Sequence, residues 1–170
     1  MLLIPENNTI LDILKTNTDV SIFYGLIKLA METNEEVEEL FGPMSDQNIT
    51  IFVPINEAFQ PNLTKSIKKR GYGEFILYHV IRGSILDMDL CGHKWWFTGV
   101  CDSIPTFTNL VSNEKNPIRI HPSTDNYILN INAAQMVEKG ESKSNKIASN
   151  GVIHFVDEVG MIFFSDLQQH

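Results

Sequence analysis

The stretch Asn150-Gly151-Val152-Ile153-His154-Phe155-Val156-Asp157-Glu158-Val159 constrains this chain more than any other. Asn-Gly is a strong short turn signal, because both residues tolerate positive φ. The run behind it is rich in β-branched and aromatic residues, the composition of a pleated, buried strand. Alternation puts Val152, His154 and Val156 on one face and Ile153, Phe155 and Asp157 on the other. Both faces are mainly apolar, which predicts a central strand covered on both sides. His154 then lies within an apolar face and needs a hydrogen-bond partner there. A structural role is expected for it over a catalytic or metal role, since no second ligand stands nearby at helical or strand spacing.

A strand buried on both sides needs a core to lie in. With 170 residues, 43% of them hydrophobic, the chain suits a single domain spanning 1–170, with its folded core at about 8–162. A formal net charge of -8 argues against nucleic acid and anionic membrane surfaces as partners. The one basic cluster, Lys65 to Arg70, reads as a solvated helix face. No apolar run approaches the ~20 residues that span a bilayer, so direct membrane insertion by this domain is not expected. Met1-Leu2-Leu3-Ile4-Pro5 lacks a basic region, a full apolar core and a small-residue cleavage site, and is not a signal peptide. The chain is therefore expected to be an excised piece of a larger protein, or a mature fragment, if it works outside the cytoplasm.

Cys91 and Cys101 have nine residues between them. Even with His93 in the interval this is a weak zinc argument, and the spacing matches no CxxC motif. A disulfide closing a small loop is preferred to free thiols, provided the compartment is oxidising. Asn7, Asn48 and Asn62 open N-x-S/T sequons, which mildly favour a secretory route.

Along the chain, Asn8 to Lys15 reads as a short helix capped by Asn8 or Thr9. Asp19 is expected to cap a second, whose Ile22, Phe23, Leu26, Ile27, Leu29 and Ala30 recur at core-facing spacing. A third runs from Glu35 to Phe41 and stops at Gly42-Pro43. Thr50 to Val53 is a strand ended by Pro54, and Asn56 to Phe59 opens a helical turn. Asn62 to Arg70 and Glu74 to Tyr78 look helical, divided by Gly71-Tyr72-Gly73. From His79 onward the pattern turns to β: His79–Gly83, Lys94–Thr98, Ile118–His121, Tyr127–Ile131, Ala134–Val137 and Val152–Val159. Asn109–Pro117 and Gly140–Asn145 are expected as polar loops. Helices first and strands afterwards indicate an α+β domain.

Three segments now stand in order: Thr50-Ile-Phe-Val-Pro-Ile-Asn-Glu-Ala-Phe59, Tyr78-His79-Val80-Ile81-Arg82-Gly83, and Ala148-Ser-Asn-Gly-Val-Ile-His-Phe-Val-Asp157. They resemble the two signature motifs and the intervening Tyr-His motif of the fasciclin (FAS1) domain family, and Asn8 to Asp12 looks like its opening helix. The resemblance implies short helices packed on a wedge or sandwich of about seven strands. It also implies an extracytoplasmic adhesion or interaction module, often glycosylated and often in tandem copies, on secreted or membrane-anchored proteins. Its partners would be cell-surface, matrix or luminal proteins, with contacts to neighbouring domains of the same family.

Departures from the pattern carry information as well. Many members have Thr or Ser where this chain has Ile55, so Asn56 is expected to take over as helix cap. Integrin-binding members resemble one another in an Asp-Ile pair just upstream of the Ala-Ser/Thr-Asn-Gly run. Here those positions are Asn145 and Lys146, so the integrin-type site is expected to be absent. Tyr78 and His79, the other adhesion-linked pair, are retained, and would belong to the core whether or not anything binds. Trp95 and Trp96, adjacent between the cysteines, are the remaining candidate partner-binding residues. Two neighbouring indoles on a strand face opposite ways, and exposed Trp is enriched at interface hot spots; covering a disulfide or loop is the alternative.

Enzyme chemistry has little support. No spacing sets a nucleophile beside a base, and no G-x-S-x-G, HExxH, phosphate loop or EF-hand pattern occurs. Asp87-x-Asp89 reads as a solvated turn. No catalytic residue, metal or cofactor is expected. The expected function is therefore adhesion or protein–protein interaction. The alternative is a luminal component of endomembrane or vacuolar trafficking and fusion, carried on a membrane-anchored protein.

Overall fold

The computed structural model describes residues 8–43, 47–91, 106–107, 110, 118–122, 129–131 and 134–159. Its N-terminal half is helical. α1 (Ile10–Thr16) starts at Thr9, whose hydroxyl accepts the Asp12 N–H while the Asp12 carboxylate accepts the Thr9 N–H, a closed capping box. A 3-10 turn (Thr18–Val20) leads into α2 (Ser21–Thr33), which buries Phe23, Leu26, Ile27 and Ala30. α3 (Glu35–Phe41) is capped by the Asn34 side chain, and its acidic first turn complements the helix dipole.

β1 (Ile49–Pro54) follows, buried along its whole length, and then a 3-10 turn (Asn56–Ala58). α4 (Leu63–Arg70) and α5 (Tyr72–Leu77) are divided by Gly71 at φ +110, a conformation that favours glycine. Two further elements, β2 (Val80–Arg82) and α6 (Asp87–Cys91), close this half. The strands of the second half are short: β3 (Thr106–Phe107), β4 (Ile118–Pro122), β5 (Leu129–Ile131), β6 (Ala134–Gln135), β7 (Glu138–Lys139), β8 (Ser142–Lys143), β9 (Lys146–Ala148) and β10 (Gly151–Val156).

One sheet has the order β2-β1-β10-β9, a second β3-β4-β5-β6, and β7 with β8 forms a ribbon. β1 and β10 run parallel in register, Ile49 beside Gly151 through Pro54 beside Val156. The two signature segments are thus neighbouring central strands. An isolated bridge from Met136 to Val156 ties the second sheet to the first. The helices cover the first sheet, and one continuous core joins Phe23, Ile27 and Phe75 to Ile51, Val53 and Phe155. This is the expected α+β architecture of short helices on a multi-stranded wedge.

Several details differ from expectation. The turn before β10 is Ser149-Asn150, not Asn150-Gly151. Asn150 is buried, and its side chain accepts the Ile10 N–H at 2.9 Å, so it serves as a strut to α1. Gly151 is required for a different reason, because a Cβ there would collide with the Ile49 carbonyl of β1. Asp19 caps nothing; the Asn17 side chain accepts the Asp19 N–H and caps the 3-10 turn instead. Gly140–Asn145 is no plain loop. It holds the β7–β8 turn and strand β8, and β9 follows directly. These strands are too short and polar to show a period.

Candidate functional site

The polar groups buried in the signature strands converge on one line across the first sheet. Phe52 of β1 and His154 of β10 are register partners, their rings stacked with centroids 5.6 Å apart. His154 is fully buried, and its Nε2–H donates to the Ile85 carbonyl at 2.8 Å while Nδ1 accepts the Asn145 N–H at 3.3 Å. A ring that donates at one nitrogen and accepts at the other is the Nε2–H tautomer. Two residues before Phe52 on β1, the Thr50 hydroxyl donates to the Gly83 carbonyl at 2.6 Å and accepts the Ile85 N–H at 2.9 Å. Thr50 and His154 thus hold the turn after β2 against the central strands. The structural role expected for His154 is the one its partners give it.

Asn145, at the other end of this line, has φ +63. Asn enters the left-handed region more easily than other non-glycine residues. Asn145 is therefore a left-handed turn residue whose N–H is held by His154. Beyond it β9 forms the sheet edge. Ile147 lies opposite Val152 on β10, yet is 72% exposed, well above Ile22 and Leu29, the other exposed large apolar residues among those described. Lys146 reaches toward the Glu141 carbonyl at 3.5 Å. It also lines a cleft of about 530 Å³ between α1 and the β8–β9 region, shared with Asp12, Lys15, Asn17 and Glu141. Ile147 was not singled out from sequence. Its only signal is an aliphatic residue out of phase in a polar run.

Tyr78 and His79 are both buried, at 1% and 4% exposure, so neither ring offers a contact surface. Tyr78 lies under the Arg70 guanidinium, 5.9 Å from the ring centroid. The His79 ring packs against Phe75 (4.7 Å) and Phe23 (5.4 Å), and its Nδ1–H donates to the Phe75 carbonyl at 2.8 Å. Its Nε2 is buried without a partner. Burial pushes the His79 pKa down from 6.5 to about 4, against a smaller opposing effect of the Phe75 carbonyl.

Asn56 does not cap its own turn, which has no side-chain cap. It reaches across the fold instead. Its Oδ1 accepts the Ile22 N–H at 3.0 Å, and its Nδ2 donates to the Thr18 carbonyl and the Ser21 hydroxyl. This supplies the cap that α2 lacks locally.

Of the sequons, Asn48 and Asn62 are exposed, while Asn7 lies outside the described residues. Cys91 is buried at the end of α6. Cys101, Trp95, Trp96 and the strand expected at Lys94–Thr98 lie outside the described residues. Asp89 is exposed on α6. Among the described residues no cluster of three or more His, Cys, Asp or Glu can hold a metal, and no helix is long and apolar enough to cross a membrane.

A family model described as the Fasciclin domain matches residues 18–161. No curated protein matches the chain. Among solved structures, the FAS1 domain pair from the insect cell adhesion molecule fasciclin I is similar with a TM-score of 0.57 at 16% identity, over 89% of this chain and 50% of that one. The chain thus spans half the length of that domain pair, and the likeness speaks for the fold.

Proposed function

This chain belongs to the fasciclin domain family, and on that premise we propose that it is an extracytoplasmic interaction module used in cell adhesion, with no catalysis of its own. The observation that carries this reading is where the domain places its polar and apolar groups. His154, Thr50 and Asn56 are spent on holding the fold, whereas Ile147 is offered to solvent on an edge strand beside a charged cleft. An edge strand with an exposed aliphatic side chain is suited to meeting another protein. Neighbouring fasciclin domains are among the partners proposed, since the similar insect protein contains a domain pair. The parent protein is proposed to be membrane-anchored and multi-domain, with this chain as one unit of it.

Trp95 and Trp96 are proposed as a second contact surface, whereas Tyr78 and His79, both buried, are proposed to serve the core. Asn7, Asn48 and Asn62 are proposed glycan acceptors. Cys91 and Cys101 are proposed to be bonded to each other, since Cys91 is not a free thiol and the chain has one other cysteine. Alkylation of both cysteines in unreduced secreted protein would reject that pairing.

Recognition is expected to be independent of metal. A divalent cation in an integrin-type site must be met by a carboxylate oxygen. Asn145 supplies no charge, and its N–H is engaged by His154. Adhesion of integrin-bearing cells to the immobilised domain, with and without chelator, tests the reading. Adhesion should be insensitive to chelator and fall several-fold in Ile147→Asp or in the Trp95→Ala, Trp96→Ala double variant. Chelator-sensitive adhesion that survives all three substitutions would overturn it.

A further inference from the structure

Two of the sequons differ in what folding does to them. Asn48 is exposed at the head of β1, but Ile49 and Thr50 behind it are both 0% exposed. Thr50 supplies the hydroxyl that defines the acceptor motif. That hydroxyl is engaged on both sides, donating to the Gly83 carbonyl and accepting the Ile85 N–H. The backbone is engaged too: the Asn48 carbonyl accepts the Gly83 N–H at 3.0 Å, and the Ile49 N–H goes to the Asn150 carbonyl at 3.2 Å. With β2 on one side and β10 on the other, nothing of the motif beyond the Asn48 side chain is left for an enzyme to hold. Asn62 differs at each point. It is exposed, its side chain makes no capping bond at the start of α4, and Thr64 is exposed as well.

We infer that Asn48 accepts an N-linked glycan only while β1 is unpaired, whereas Asn62 stays open to the same reaction after folding. This rests on the proposed passage through a glycosylating compartment. In the transfer, Asn48 Nδ2 bonds to C1 of a lipid-linked oligosaccharyl diphosphate. The C1–O bond breaks, the lipid diphosphate leaves with the electron pair, and one Nδ2 proton passes to a base; nothing is oxidised or reduced. Topology provides the interval. β10, the parallel partner of β1, follows it by about a hundred residues, which at a synthesis rate of roughly 5–20 residues per second leaves β1 half-paired for on the order of 5–20 s. The β1–β2 pair alone is a two-stranded ribbon, marginal in water. A glycan added in that interval is compatible with the finished fold, because the Asn48 side chain ends in solvent.

The test uses unglycosylated full-length protein, folded and oxidised, incubated with an oligosaccharyltransferase preparation and its lipid-linked donor. The reference is the Ile153→Asp chain, whose loss of structure is checked by circular dichroism and which keeps both sequons. Peptide mass spectrometry gives the occupancy of each site. In the folded protein, the ratio of Asn48 to Asn62 modification should be at least tenfold below that in the unfolded chain. Equal ratios, or a folded protein modified at neither site, would overturn the inference. Because enzyme and donor are supplied, the result is independent of where the chain resides. Absence of glycan from the natural product would count against the proposed compartment alone.

Discussion

Among the described residues, His79 carries the one buried side-chain polar atom without a hydrogen-bond partner. Its Nε2 has no partner, its neighbours are the apolar rings of Phe23 and Phe75, and its pKa is lowered to about 4. In the unfolded chain the imidazole titrates near 6.5. The unfolded state therefore binds the proton first as pH falls. Stability is unaffected by this group above about pH 6.5, is lost between there and about pH 4, and levels off below. The loss by pH 4.5 is roughly 2–3 kcal/mol. Urea unfolding of wild type and His79→Phe at pH 7 and pH 4.5 checks this, since the comparison cancels the carboxylates. Wild type should lose the larger amount on acidification, and equal losses would refute the assignment. His154 is as buried but has partners on both nitrogens. Its burial was legible from alternation along 152–156. The orphaned Nε2 of His79 was not, because periodicity reports a residue's face and says nothing of what each atom meets there.

At the scale of elements, the helix limits were largely readable. Gly42-Pro43 ends α3, Gly71 divides α4 from α5, and Thr9 with Asp12 marks the start of α1. What sequence missed are the ties between elements. Asn56 caps α2 across 34 positions, and no local pattern encodes a side chain's reach. Asn56→Ala should cost about 1–2 kcal/mol, since it removes the cap and strands the Ile22 N–H. Asn56→Asp keeps the acceptor but loses the donors to Thr18 and Ser21, and should cost less. Chemical unfolding of the two variants separates the cases; equal costs would mean the cap contributes nothing. The parallel pairing of β1 with β10 was equally hidden. Each strand announced its own burial, but pairing is decided by the whole core. β9 went unread because three residues of mixed polarity, Lys146-Ile147-Ala148, carry no period.

Taken as a whole molecule, the domain is closed by its last central strand, and α1 is fastened to the near end of that strand. The Ser149 N–H donates to the Asn8 carbonyl at 2.8 Å and the Asn150 side chain accepts the Ile10 N–H, while the chain leaves from the far end, beyond Val156. Tension applied between Asn8 and Val159 would run along the axis of β10. Strands loaded in that direction slide, so the bonds from Gly151 to Val156 must yield together rather than one at a time. Pulling between Asn48 and Gly83 instead would peel β1 from β2, opening their antiparallel ladder from one end. Single-molecule extension through residues 8 and 159 should therefore need a markedly higher force than extension through 48 and 83, and equal forces would refute this load path. The buried parallel pair that completes the core would thus resist as a mechanical clamp, strongest when the chain is drawn out through residues 8 and 159.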